Sequence, residues 1–369
     1  MAKSKNGSKK SSIVGQDELA FLERYINNPS PTGFESPGQQ LWLDYLQPYI
    51  DEHFVDAYGT AVGIINPKAP YKVVIEAHAD EISWFVHYIT KEGFIYLRRN
   101  GGSDHQIAPS KRVNIHTDKG TVKAFFGWPA IHVREAGKEE APSLKNIFLD
   151  CGAASDKEVE QMGIHVGCVV TYEDEFMILN NKYYVGRALD NRVGGFMIAQ
   201  VARLLKKNKV KLPFALYLVN SVQEEVGLRG AEMISARIKP DVAIITDVTH
   251  DTQTPMMNKV AQGDIAAGKG PSLTYGPAVH NNLLKLIIDT ADKNKIPFQR
   301  EVASRSTGTD TDAFAYSSGG ITSALISLPL RYMHTTVESV HRDDVDSVIK
   351  LIYETLRVIK VNHDFRYIK

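Results

Sequence analysis

The chain has 369 residues, with 43 Lys and Arg set against 43 Asp and Glu, for a formal net charge of +0. With 43% hydrophobic and 23% charged residues it has the composition of an ordinary soluble globular protein, long enough for about two domains. Balanced charge excludes the basic excess that nucleic acid or an anionic membrane surface would require of its main partner.

Residues 1–14 are rich in Lys and Ser with no apolar run behind them, so they read as a disordered basic tail rather than a signal peptide. No apolar run approaches the ~20 residues of a membrane-spanning helix, and the expected location is cytoplasmic. Cys151 and Cys168 form no CxxC pair and are expected as reduced thiols. Helical apolar spacing covers 17–27, ended by Ser30-Pro31-Thr32-Gly33. Ser36-Pro37 opens a second helix reaching about residue 49. From residue 55 short strands follow. The continuous apolar run 71–77 suits a strand buried on both faces.

Residues 81–172 differ in texture. Short strands at 94–97, 112–115, 121–126, 147–151 and 168–172 are separated by Gly-, Lys- and Asp-bearing turns, with one brief helix at 156–162. An α/β rhythm then returns. A long helix covers 191–206, and strands at 214–220, 242–246 and 323–327 alternate with helices at 230–237, 281–293 and 343–361. The pattern predicts a mostly parallel α/β sheet with helices on both faces, formed by 15–80 and 173–369, and interrupted by a β-rich insertion at 81–172.

Acid and histidine concentrate in five short segments at expected strand ends or loops, where ligands of parallel α/β sheets bind. They are Glu76-Ala77-His78-Ala79-Asp80-Glu81, Arg187-Ala188-Leu189-Asp190-Asn191-Arg192, Gln223-Glu224-Glu225-Val226-Gly227, Ile245-Thr246-Asp247-Val248-Thr249 and Arg331-Tyr332-Met333-His334-Thr335. Singly, each has an ordinary reading: a hydrogen-bonded histidine, first-turn charge before a helix, a cap. Together, two His and three carboxylates make a ligand set for a pair of divalent metals, with one carboxylate shared. Asp80 at i+2 from His78 can accept the second ring N–H of a metal-bound imidazole. Adjacent Glu224 and Glu225 can divide the work, one facing metal and the other water.

In this order the segments closely resemble the M42 family of metallo-aminopeptidases, which includes glutamyl aminopeptidases and TET-type peptidases. The resemblance extends over nearly the whole chain after the tail. It includes Gly230-Ala231 after the Glu pair and Gly308-Thr309-Asp310 ahead of the last segment. It implies a catalytic α/β domain with an inserted β-rich, PDZ-like oligomerisation domain. It also implies two divalent ions, Zn or Co, one bound by His78, Asp190 and Asp247 and the other by Asp190, Glu225 and His334. Glu224 then matches the general base and Asp80 the acid behind His78. Arg305 and Asp310 fall near the expected position of the substrate side chain, where Arg305 could attract an acidic one. The expected activity is removal of the N-terminal residue of a peptide by a homo-oligomer, from a dimer to a tetrahedral dodecamer, with no nucleic acid or membrane partner.

Two positions depart from the family pattern. Ser83 stands where Gly commonly follows Asp-Glu-Ile, and Asp312 adds an acid to the Gly-Thr-Asp segment. A related dinuclear deacylase or carboxypeptidase would use the same core. An endoglucanase would need two carboxyls facing each other ~5–9.5 Å apart, which adjacent Glu224 and Glu225 are poorly arranged to supply.

Overall fold

The computed structural model describes residues 12–361 and 363–368, so residues 1–11 of the expected tail lie outside it. The last residues of that segment are held: Ser12 Oγ donates to Asp346, and Val14 is buried against the core. The interior apolar runs assemble into an 11-stranded sheet. Its order is Glu52–Val55, Ala61–Ile65, Ala215–Ser221, Lys72–His78, Val242–His250, Thr322–Arg331, Glu338–His341, Tyr183–Gly186 and Met177–Leu179. Ser272–Tyr275 and Gln299–Val302 attach beside Thr322–Arg331.

The sheet is mixed rather than mostly parallel. The central strands Ala215–Ser221, Lys72–His78, Val242–His250 and Thr322–Arg331 run parallel as a block, and Ser272–Tyr275 pairs parallel with Gln299–Val302, but the other pairings are antiparallel. Thr322–Arg331 returns through 332–337 to the antiparallel strand Glu338–His341, and Glu52–Val55 returns through 56–60 to Ala61–Ile65. Such links are far shorter than the dozen or more residues a parallel crossover needs. The parallel centre explains the apolar run at Lys72–His78, which is buried from Val73 onward between two strand neighbours and the covering helix.

That helix, Leu189–Lys207, is buried along most of its length and packs on Lys72–His78, on Gln16–Asn27, on Ser36–Leu46 and on Arg342–Val358. Gly194 makes the approach possible: a Cβ there would lie 2.8 Å from Ala77 Cβ. Trp42 Nε1 seals the same region by donating to Gly195 O at 2.8 Å. Among the described residues no helix is long and apolar enough to cross a membrane. Cys151 and Cys168 are free thiols.

The strands of the insertion, from Ser83–Ile89 to Val169–Tyr172, form a closed six-stranded antiparallel barrel, where the resemblance implied a PDZ-like domain. Side chains alternate inward, as closure requires: Trp84 and Val86, Ile95 and Leu97, Val113 and Ile115, Ala124 and Phe126. They make a hydrophobic core of their own, centred on an edge-to-face Trp84–Phe126 pair 5.7 Å apart.

Candidate active site

Strand ends bring the five segments to one place. His78 ends its strand opposite Ser221, the last residue of the neighbouring strand, and Glu224 and Glu225 follow on a short 3₁₀ turn. Asp247 lies on the other parallel neighbour, Asp190 at the head of the long helix, and His334 in the 332–337 turn. Left-handed backbone precedes three of these groups, at Ala188 (φ 59°), Gln223 (φ 58°) and Tyr332 (φ 60°), and His334 itself has φ 61°. Such conformations cost roughly 1–3 kcal/mol each and persist only where the surroundings hold them.

The cluster has two halves joined by Asp190. His78 Nε2 lies 3.1 Å from Asp190 Oδ1 and 3.8 Å from both Asp247 Oδ1 and Glu224 Oε2. His334 Nε2 lies 3.5 Å from Asp190 Oδ2 and 3.3 Å from Glu225 Oε2. His78, Asp190 and Asp247 form one group able to hold a metal ion, and Asp190, Glu225 and His334 a second, with donor atoms within 4.8 Å of one another in each.

Asp80 is fully buried behind the cluster, with Oδ1 3.4 Å from His78 Nδ1. Its carboxylate also accepts the N–H groups of Glu224 (3.0 Å) and Glu225 (3.2 Å) and the Thr32 hydroxyl (2.9 Å). One side chain thus pins the Glu pair by hydrogen bonds and stands beside the first imidazole, whose Nδ1 makes no hydrogen bond of its own. Glu338 does the same for the other half, accepting from Asp190 N–H at 3.0 Å and His334 N–H at 2.8 Å. Neither Glu338 nor Thr32 is marked by sequence pattern. The nearest signal for Glu338 is an acid that the structure buries in a strand.

The electrostatics are those of crowded acid without enough base. Burial, with Asp247 and Asp310 adding to it and His78 opposing, pushes Glu224 up to about 10. Burial also raises Glu225 and Asp247. Burial opposes the charged imidazoles, yet the facing carboxylates outweigh it, holding His334 up to about 11 and His78 well above its ordinary value. Asp190 is lowered despite its burial, because both imidazoles donate to it. A second buried carboxyl pair lies beneath. Ser221 Oγ is within hydrogen-bond reach of Glu76 and 2.6 Å from Asp310 Oδ2. A hydroxyl donates once, so one carboxyl carries a proton. Burial and mutual repulsion raise Glu76 accordingly, and burial raises Asp310.

Arg305 and Asp310 are not brought together. Arg305 is exposed on the loop 303–309, whereas Asp310 begins the helix Asp310–Ala315 and is 1% exposed, turned toward Ser221 and Glu76. The extra acid Asp312 accepts the N–H groups of Thr307 (2.9 Å) and Gly308 (3.1 Å), and so fixes the loop before that helix. Ser83 lies outside the left-handed region, so glycine is not required there; its Oγ accepts from Asn100 at 2.9 Å.

Known proteins resemble the chain over nearly its full length. The M42 glutamyl aminopeptidase family matches residues 59–351. A lysyl aminopeptidase of Pyrococcus furiosus is 32% identical over 343 residues, which are 92% of this chain and 97% of its own length. A solved TET aminopeptidase from the marine sediment archaeon Thaumarchaeota archaeon SCGC AB-539-E09 is 28% identical with a TM-score of 0.88, covering 93% of this chain and 96% of its own. The TET1 peptidase of Pyrococcus horikoshii, described as assembling into a tetrahedron or a large octahedral shell, is 25% identical with a TM-score of 0.81, covering 91% and 98%. With the family matched from the second strand of the sheet to the last helix, the chain belongs to the M42 aminopeptidases and is a hydrolase of peptide bonds.

Proposed function

We propose that the chain removes the N-terminal residue of short peptides, using two divalent metal ions and Glu224 as general base. The observation that carries this reading is the division of Asp190 between two donor groups, each with its own imidazole. One ion would be held by His78, Asp190 and Asp247, the other by Asp190, Glu225 and His334. The donor set fits: imidazole with carboxylate suits Zn and Co, and cations would offset the burial, and the repulsion from Asp190, that disfavour charge on Asp247 and Glu225. Charge neutralisation of this kind is what makes a buried acid cluster tolerable.

When bound, the ions supply Lewis acidity, which acidifies water and polarises a carbonyl oxygen. Glu224 belongs to neither donor group although its carboxylate adjoins His78. It is therefore left unliganded, and with cations beside it to oppose the burial and acid repulsion that raise it, Glu224 would take the proton of the attacking water and return it to the leaving amine. Asp80, 3.4 Å behind His78 Nδ1, would accept that ring N–H and so fix the tautomer once Nε2 faces an ion, and its two N–H bonds hold the turn that carries Glu224. The acid-rich cluster also suits the free α-amino group of a peptide, which favours N-terminal over internal cleavage. The P. horikoshii relative supports a homo-oligomer as the working form.

Glu224→Gln tests the assignment. Metal content should be unchanged while kcat on aminoacyl anilides falls ~10²–10⁴-fold, the usual worth of a positioned base. Turnover near that of the parent would contradict it.

A further inference from the structure

The barrel meets the metal-site residues through one turn, residues 100–103. Both sides of the turn are pinned. Asn100 Nδ2 donates to Thr32 O at 2.8 Å and Ser83 Oγ at 2.9 Å, while Ser103 Oγ donates to Ser83 O at 2.6 Å. Asn100 and Ser103 are both buried. Between them, Gly101 has φ +76° and packs on the Glu pair: a Cβ there would lie 3.1 Å from Glu225 Cβ. Gly102 lies outside the left-handed region, so its backbone does not demand glycine. What demands it is His334. A Cβ on Gly102 would strike the imidazole at Nδ1 and stand 2.5 Å from Cε1.

The His334 ring is therefore held on opposite edges. Nε2 faces Asp190 and Glu225, and the Nδ1 edge rests on the Gly102 backbone. A second tie joins the barrel to the 332–337 turn that carries His334: Lys111 Nζ donates to Thr336 Oγ1 at 2.5 Å and pairs with Asp174 at 3.2 Å. Thr336 is buried between His334 and Glu338 in sequence. By contrast, His78 and Asp247 are held by the central strands.

We infer that the Gly101-Gly102 turn of the inserted barrel is a positioning element for one metal subsite, that of Asp190, Glu225 and His334, setting the His334 ring and so the affinity of that subsite separately from the other. This rests on the dinuclear reading above. Gly102 touches no reacting group; it acts through His334. A ring displaced by even a methyl group loses the geometry its lone pair needs, and changes around a ligand of this sort cost roughly 10–100-fold in metal affinity.

The test is calorimetric titration of chelator-stripped protein with Zn²⁺, alongside thermal melting, for the parent, Gly102→Ala, His334→Ala and the double variant. Gly102→Ala should weaken one site ~10–100-fold and leave the other unchanged, the same site that His334→Ala abolishes. It should lower Tm in the parent but not in the His334→Ala background, where the added Cβ has no ring to strike. Two parent-like sites in Gly102→Ala, equal weakening of both, or the same Tm loss in both backgrounds would overturn the inference. If Gly102→Ala alone does not fold, a folded double variant supports the contact and an unfolded one overturns it. A parent chain that takes up fewer than two ions overturns the dinuclear reading, and the inference with it.

Discussion

Single carboxylates hold this site together from behind. Asp80 and Glu338 each accept backbone N–H groups from residues that carry the candidate ligands, so they fix main chain as well as side chains. Burial, then repulsion from Asp190, pushes Glu338 well above its ordinary range, and its two N–H bonds pull the other way. Removing it would leave the Asp190 and His334 N–H groups without that acceptor. Glu338→Ala should therefore cost about 1–3 kcal/mol of stability, the penalty for buried polar groups left unpaired, and weaken metal uptake. Urea denaturation read beside Zn²⁺ binding checks this; unchanged stability and uptake would remove Glu338 from the account. This residue was not legible in sequence, because its partner Asp190 lies 148 positions away. The histidine- and acid-bearing segments were legible because most sit at a strand end or helix head, where local pattern marks the position; Asp247 instead lies inside Val242–His250, a strand longer than the expected 242–246. Asp310 shows the limit: its motif was visible, but its burial against Glu76 and Ser221 depends on packing between elements distant in sequence.

At the scale of elements, the long helix and the strand it covers, Lys72–His78, decide where His78 and Asp190 stand. Their close approach depends on Gly194, which admits Ala77 and whose backbone N–H donates to Asn191 Oδ1 at 3.2 Å. Asn191 in turn donates to Thr246 O at 2.7 Å, one residue before Asp247. Gly194→Ala should separate helix and strand at a cost of about 1–3 kcal/mol, the usual penalty for overpacking, with a shift of the urea midpoint and little change in m. A midpoint equal to the parent's would mean the helix can shift without loss. The long elements were readable from apolar periodicity, and the helix at Asn281–Lys293 coincides with its expected span. The short strands Met177–Leu179, Gln299–Val302 and Glu338–His341 were not, since three or four residues are too few to show a period. Those strands are among the ones that make the sheet mixed.

Across the whole molecule, a chain of zero net charge collects its acids where two apolar cores meet. The barrel has its own core, yet its 100–103 turn lies on Glu225 and His334. Protons and divalent cations compete for this cluster. Glu224, Glu225, Asp247, His78 and His334 all have raised folded-state values. A raised value contributes stability that is present below the unfolded-state value and is lost as pH rises through the folded one. Without metal, stability should therefore fall between pH 6 and 8; the lowered Asp190 acts in the opposite sense but only in acid, below that window. Metal uptake must displace these protons, so affinity should rise over the same interval. The most direct measurement is titration of the chelator-stripped chain with Zn²⁺ at pH 6 and pH 8, with bound ions counted by native mass spectrometry and release of an N-terminal residue followed on the same samples. The account predicts two ions per chain, tighter at pH 8, with hydrolysis appearing as both are taken up and abolished when the peptide's amino group is acetylated. A single ion per chain, or hydrolysis that survives complete metal removal, would contradict it.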